Sequence, residues 1–178
     1  TEHVLTMTLL PNRHLVAVSV RSDDSLFLDE WTPEDIRRSE GDRAPSRSTC
    51  IAPIADAVRR VPFLMAAVGN AHIALVCEET PSELHIVSLE SGMIRHTCDM
   101  NHPICSLAFY ADREELFAGN KAGLLLIWRM TELVQRTHVP EWTAFSVSKA
   151  PITALKPLHG NALACGDHYG RLHVMDLH

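Results

Sequence analysis

Basic charge is scarce in this chain. Sixteen Lys and Arg stand against 22 Asp and Glu, a formal net charge of −6 with histidine neutral. No positive field is available to neutralise a phosphate backbone, so a nucleic-acid partner is not expected. Long apolar runs are missing too. None approaches the roughly 18 to 20 residues that cross a bilayer as a helix, so no membrane span is expected. Thr1-Glu2-His3-Val4 has neither the charged nor the apolar region of a secretory signal. Catalytic signatures are absent as well: no Gly-x-Ser-x-Gly elbow, no Gly-x-Gly-x-x-Gly, no Gly-Lys-Ser/Thr phosphate cradle and no His-Glu-x-x-His. No catalytic residue, cofactor site or cofactor is therefore assigned. The expectation is a protein that is not an enzyme.

What remains is a folding composition. Of 178 residues, 46% are hydrophobic and 21% charged, enough for a domain with a real core. The five cysteines (Cys50, Cys77, Cys98, Cys105 and Cys165) are an odd number, and four lie in or beside apolar runs. Buried thiols in a reducing compartment are the simplest reading, which predicts a cytoplasmic setting with the nucleus left open.

Two stretches repeat one another. Ala118-Gly119-Asn120-Lys121-Ala122-Gly123 leads into Leu124-Leu125-Leu126-Ile127-Trp128, and Cys165-Gly166-Asp167-His168-Tyr169-Gly170 leads into Arg171-Leu172-His173-Val174-Met175-Asp176. Corresponding glycines are 47 positions apart. A period in that range, with a Gly-punctuated hairpin in each copy, marks a β-propeller array. Between turn signals, short runs rich in Val, Ile, Leu and Phe predict strands at 4–10, 15–20, 25–31, 63–68, 73–77, 84–89, 93–98, 103–109, 115–119, 124–128 and 133–139. The run 124–128 is apolar on both faces, as suits a strand sandwiched between neighbouring sheets.

These residues resemble a divergent WD repeat. Leu107-x-Phe109, a polar turn, Leu116-Phe117-Ala118-Gly119, Asn120-Lys121-Ala122-Gly123 and Leu125-Leu126-Ile127-Trp128-Arg129 put Trp128 in the signature tryptophan place, with Arg129 where an Asp is usual. Met175-Asp176 in the last copy keeps the Asp and loses the Trp. Asn101-His102 resembles the Gly-His dipeptide of the family's buried hydrogen-bond network, but no repeat carries all four members of that network. The resemblance implies an all-β WD-type propeller with approximate blades 1–50, 51–100, 101–148 and 149–178. A generic antiparallel sandwich is the alternative.

About four blades fit the length, whereas WD propellers usually have about seven. The last blade also ends at a third strand. Because a blade cannot bury its own faces, the expectation is an incomplete ring or the C-terminal part of a larger propeller, completed by further blades, a partner or a second copy.

Off the blades, Thr32 to Thr49 is rich in Arg, acidic residues and Pro, and reads as a polar surface loop (32–49). One helical turn capped by Thr32 ahead of Pro33 is expected in it. Arg37-Arg38-Ser39 and Arg47-Ser48-Thr49 set hydroxyls beside basic residues, where phosphorylation would reorganise ion pairs. Cys98, His102 and Cys105 with His96, and Cys165 and His168 with His159 and His173, have zinc-ligand residue types. The blade reading makes their side chains diverge, so no metal is assigned.

Glu141-Trp142-Thr143-Ala144-Phe145 is placed between one blade's outer strand and the next blade's inner strand. The resemblance puts such a connection on the top face, where partners dock. Large aromatics on a loop are natural anchors, which makes Trp142, Phe145 and Glu141 the candidate protein-binding residues. His102 and Lys149, on analogous connections, join them. The function expected is a non-enzymatic scaffold docking protein partners on its top face and rim. The alternatives are a module in which two half-propellers complete one ring, and a propeller enzyme or metal protein using the histidines.

Overall fold

Among the described residues, the short β-favouring runs separated by turn residues fold into strands. The computed structural model describes residues 3–23, 25–37, 44–51, 62–130 and 142–177. Among the described residues, fifteen strands form four antiparallel sheets. The first orders β1 (His3–Leu9), β2 (Leu15–Val20), β3 (Leu26–Trp31) and β4 (Arg47–Cys50). The second orders β5 (Pro62–Val68), β6 (His72–Cys77), β7 (Glu83–Ser88) and β8 (Ile94–Asp99). In the third, β9 (Ile104–Tyr110), β10 (Glu115–Asn120), β11 (Leu124–Arg129) and β12 (Thr143–Ser146) follow in sequence order. The fourth has three strands, β13 (Ile152–Leu158), β14 (Ala162–Asp167) and β15 (Leu172–Asp176).

Every sheet breaks register at the same place. The first strand slips by one residue against the second between Val4 and Thr6, between Pro62 and Leu64, between Ile104 and Ser106, and between Ile152 and Ala154. A bulge of this kind bends its strand and increases the local twist. Four copies near the start of the inner strand are a structural repeat, and a deeper one than the glycine pattern.

The chain divides into two compact units, Thr1–Thr80 with His85–Arg95, and Pro81–Leu84 with His96–His178. In the first unit, Leu10, Val16, Val18, Leu26, Leu28 and Ile51 pack against Ala67, Ile73, Leu75, Val87 and Leu89. Most of these are β-branched or leucine side chains buried below the surface on one face of a strand, the arrangement that stabilises stacked sheets. Several polar groups are buried in this unit, Asp29 among them. Asp29 accepts hydrogen bonds from Ser19 and, at 2.6 Å, from Ser48, whose oxygen in turn accepts from Arg21 at 3.0 Å.

The segment read as a polar surface loop over 32–49 needs correction. Its helical turn is there: α1 (Pro33–Arg37) starts at Thr32, whose hydroxyl oxygen accepts from the Asp35 backbone N–H at 3.3 Å. Asp35 accepts from the Thr32 N–H at 2.9 Å in return, a reciprocal cap. The end of the segment, however, is strand β4, with Arg47 opposite Glu30 and Ser48 opposite Asp29. Ser48 is a sheet residue that donates to Asp29 and accepts from Arg21. Ser39 lies outside the described residues.

In the second unit, Tyr110, Phe117 and Leu125 of the third sheet pack on Ile152, Leu163 and Cys165 of the fourth. Ser106 Oγ donates to the Ile152 carbonyl at 2.8 Å. At the edge, Arg113 donates from Nε to Glu115 at 2.9 Å and from Nη1 to the Leu177 carbonyl at 2.7 Å, so a buried carboxylate is paired rather than stranded.

Candidate partner-docking surface

The second repeat of the Gly-rich hairpin builds the most elaborate polar cluster of the described residues. Asn120 and Asp167 occupy equivalent places at the ends of β10 and β14, and both fold the following turn in the same way. Asn120 Oδ1 accepts from the Ala122 and Leu124 N–H groups, each at 3.0 Å. Asp167 Oδ1 accepts from Tyr169 N–H at 3.0 Å and Arg171 N–H at 3.1 Å. A short side-chain acceptor at the head of a turn substitutes for a backbone carbonyl in this way. Gly123 and Gly170 complete the turns at φ of 80° and 77°, a region that strains any residue with a Cβ.

Asp167 then does what Asn120 cannot. Its second oxygen, Oδ2, accepts from Ser148 Oγ at 2.7 Å and Arg171 Nε at 2.7 Å, with His173 Nε2 at 3.4 Å. The carboxylate is buried, and burial alone would raise its pKa. The bonds from Ser148 and Arg171 outweigh that and hold the group well below the usual carboxylate range. Arg171 Nη2 also donates to Ser148 Oγ at 3.0 Å. The β12–β13 connection and the β14–β15 turn are thereby tied together, and between them lies an open groove of about 450 Å³ lined by Ser146, Val147, Ser148, Lys149, Arg171 and His173.

Lys149, an expected binding residue, lines this groove and is exposed. His102 is exposed on the β8–β9 connection, 47 positions earlier in the chain. Trp142 and Phe145 sit elsewhere than expected. Thr143–Ser146 is not a connection but the outer strand β12, with Phe145 opposite Leu125 on β11. Pairing to β11 requires only a free edge and a short β-compatible run, which Thr143, Ala144 and Phe145 supply. Phe145 is therefore on the outer edge of the third sheet, 43% exposed. Trp142, half-buried just ahead of it, meets Trp128 with ring centroids 6.2 Å apart at 59°, within the range of favourable tilted aromatic pairs. Glu141, and the 133–139 run read as the outer strand, lie outside the described residues.

The zinc-type clusters do not assemble. Cys98 is buried near the end of β8, Cys165 is buried in the core, and His168 is in a turn against the Tyr169 ring. Among the described residues, no group of three or more His, Cys, Asp or Glu is placed to hold a metal. Burial pushes the Cys98 and Cys165 thiols up to about 11. No helix among the described residues is long and apolar enough to cross a membrane.

Sequence reasoning missed Ser146, Ser148, Asp167, Arg171 and His173 as a group. One signal was available: Asn120 and Asp167 fall 47 positions apart, so the turn polar residue recurs, and its change to a carboxylate calls for a cation nearby.

No protein-family model and no curated protein matches the chain. Among solved structures, a chain in the crystal structure of the mitotic checkpoint complex superposes with a TM-score of 0.61 at 13% identity, covering 99% of this chain and 48% of that one. The chain thus spans about half the length of that structural relative. Four antiparallel sheets in sequence order, each with the same inner-strand bulge, together with this superposition, make the fold all-β and of the WD-type β-propeller class.

Proposed function

We propose that this chain is a divergent member of the WD-repeat family and serves as a non-enzymatic scaffold that docks protein partners. The docking residues are Trp142 and Phe145 on the outer edge, with Lys149 and His102 on the connections, and Glu141, which precedes Trp142 in the sequence. The observation that carries this reading is the β12 edge itself. An exposed aromatic on a short edge strand, next to a half-buried tryptophan and continuous in sequence with an open groove, is how a rigid sheet presents an anchor. The five cysteines include two whose thiols burial makes unreactive, in keeping with a reducing, cytoplasmic setting. The scaffold role itself rests on analogy with other propellers. The test is affinity capture with the wild-type chain and with Trp142→Ala/Phe145→Ala. Proteins retained by the first and lost by the second, with unchanged thermal unfolding, support the reading. An identical set of captured proteins removes these two residues from it.

A second reading, completion of a ring by a second copy, is favoured by a different observation. In the third sheet the face bearing Phe117 and Gly119 is covered by the fourth sheet, whereas the equivalent face of the fourth sheet leaves Leu172 and Val174 72% and 63% exposed. Light scattering across a dilution series decides it. A mass of two chains that survives dilution supports it, and a single-chain mass excludes it.

A further inference from the structure

The groove between the β12–β13 connection and the β14–β15 turn has a chemical polarity that the docking reading leaves unused. Its lining holds one lysine, one arginine, one histidine and two serines, and no carboxylate. The nearest acid, Asp167, is spent. A carboxylate has about four lone-pair sites, and Asp167 already receives two backbone N–H groups, the Ser148 hydroxyl and the Arg171 guanidinium, with His173 adjacent. It lies beneath the groove with its side chain 1% exposed, so it meets nothing that enters.

The donors are in surplus by contrast. Arg171 uses Nε and Nη2 on Asp167 and Ser148, while Nη1 has no hydrogen bond among the described residues and the side chain is 53% exposed. Lys149 has no ion pair among the described residues. Asp167 and Arg171 cancel, and Lys149 leaves the groove positive in a chain whose net charge is −6. That distant negative charge is screened within about 8 Å at physiological salt, so the local cluster decides what binds.

Two exposed aromatic residues adjoin the groove in sequence: Phe145 before Ser146, and Tyr169 before the Gly170-Arg171 pair, its ring 5.4 Å from the Arg171 guanidinium. A small inorganic anion would leave the exposed Phe145 without a role. An extended nucleic-acid backbone needs a longer track of cations than one lysine and one arginine provide. A peptide combining carboxylates with apolar side chains matches both features.

We propose that this groove receives an acidic, apolar-flanked peptide segment of a protein partner, with Lys149 and Arg171 contacting its carboxylates. The proposal rests on the docking reading and names its partner class. Lys149 is the point charge that steers the segment in. Arg171, held by Asp167 and Ser148, presents a fixed donor whose ordering is complete before binding, which lowers the entropic cost of contact.

The test uses the purified full chain and two fluorescein-labelled peptides, Glu-Glu-Leu-Glu-Glu-Leu and its Gln-for-Glu counterpart, read by fluorescence anisotropy. The acidic peptide binds about tenfold or more tightly than the neutral one, and added salt erodes the difference. Lys149→Glu, a surface change that leaves the circular dichroism spectrum and melting temperature unaltered, abolishes the preference. Arg171→Lys, which keeps the charge and the pairing with Asp167, retains part of it. Equal affinity for the two peptides, or a preference that survives Lys149→Glu, overturns the proposal. So does displacement by inorganic phosphate or oligouridylate at lower concentration than by the unlabelled acidic peptide, since the groove would then select phosphate. Failure here together with Trp142- and Phe145-dependent partner capture leaves the docking reading standing without an acidic partner. Peptide selectivity without that dependence keeps the groove and removes the edge.

Discussion

Gly119 and Ile152 are in contact so close that a Cβ at Gly119 would stand 2.6 Å from Ile152 Cγ2 and 2.6 Å from Ser106 Oγ. These three residues join the third and fourth sheets, where Ser106 donates to the Ile152 carbonyl. Backbone approach, apolar packing and a buried hydrogen bond coincide at one point.

Gly119→Ala is therefore expected to destabilise the chain by about 1–3 kcal/mol, the usual cost of overpacking. For a chain of this size that lowers the melting temperature by about 2–4 °C per kcal/mol. Its repeat mate is the control. A Cβ at Gly166 meets only Ala154 Cβ at 3.4 Å, and the φ there is ordinary. Gly166→Ala should be neutral or slightly stabilising in a single chain, because it restricts the unfolded state. Should a second copy cover that face, the same change would instead weaken the dimer on dilution.

Asp167 makes stability depend on pH in a calculable direction. Its folded pKa is depressed, so its contribution is complete above the unfolded value of about 3.9 and is lost as pH falls below that toward the folded value. Urea titrations of wild type and Asp167→Asn should run parallel from neutral pH down to about 5 and converge as acid protonates the wild-type carboxyl. A constant gap down to strongly acidic pH would show that the hydrogen bonds to Asp167 do not stabilise its charged form.

The thiols separate by burial. Cys50 is exposed on β4, whereas Cys98 and Cys165 are buried and pushed up to about 11. Only the thiolate reacts with iodoacetamide. Peptide mass mapping after brief labelling near neutral pH should find Cys50 modified and Cys98 and Cys165 intact until denaturant is added. Early modification of Cys165 would contradict its place in the core with Leu163 and Ile152.

Asn120 supports its turn with one oxygen that accepts two backbone N–H groups, and it is fully buried. Asn120→Ala leaves both donors without that acceptor and should cost about 1–3 kcal/mol per stranded group that water cannot reach. Equilibrium denaturation measures the loss. A change below about 0.5 kcal/mol would mean that water or another acceptor replaces the side chain.

Much of the fold was legible in the sequence because its strongest signals are local. The two Gly-rich hairpins, the apolar β11 and the strands β2, β6 and β10 stand out as short apolar runs bounded by turn residues. Two of the outer strands did not, although β8 was read at 93–98. β4 and β12 show burial patterns of one partly covered residue in four and none in four, so neither alternation nor hydrophobicity marks them. What makes them strands is a neighbour's open edge, which a linear reading does not contain. The bulges were hidden for the same reason, since a register slip exists only between two strands. The groove fared similarly: Lys149 was identified from its place in a connection, but Arg171 and His173 lie more than twenty residues away and are brought to it by their bonds to Asp167 and, for Arg171, to Ser148.

The four inner-strand bulges place Leu5, Phe63, Cys105 and Thr153 at the slipped position, four residues with no side-chain chemistry in common. What is repeated there is an added unit of backbone, indifferent to what it carries. The exposed pair, Phe63 and Thr153, should accept almost any replacement, and all four positions should resist removal, because deleting one rephases the strand start and, at Cys105 or Thr153, turns Ile104 or Ile152 away from its buried place. Drift among related chains would then be fast in letters at the exposed pair and frozen in spacing at all four points.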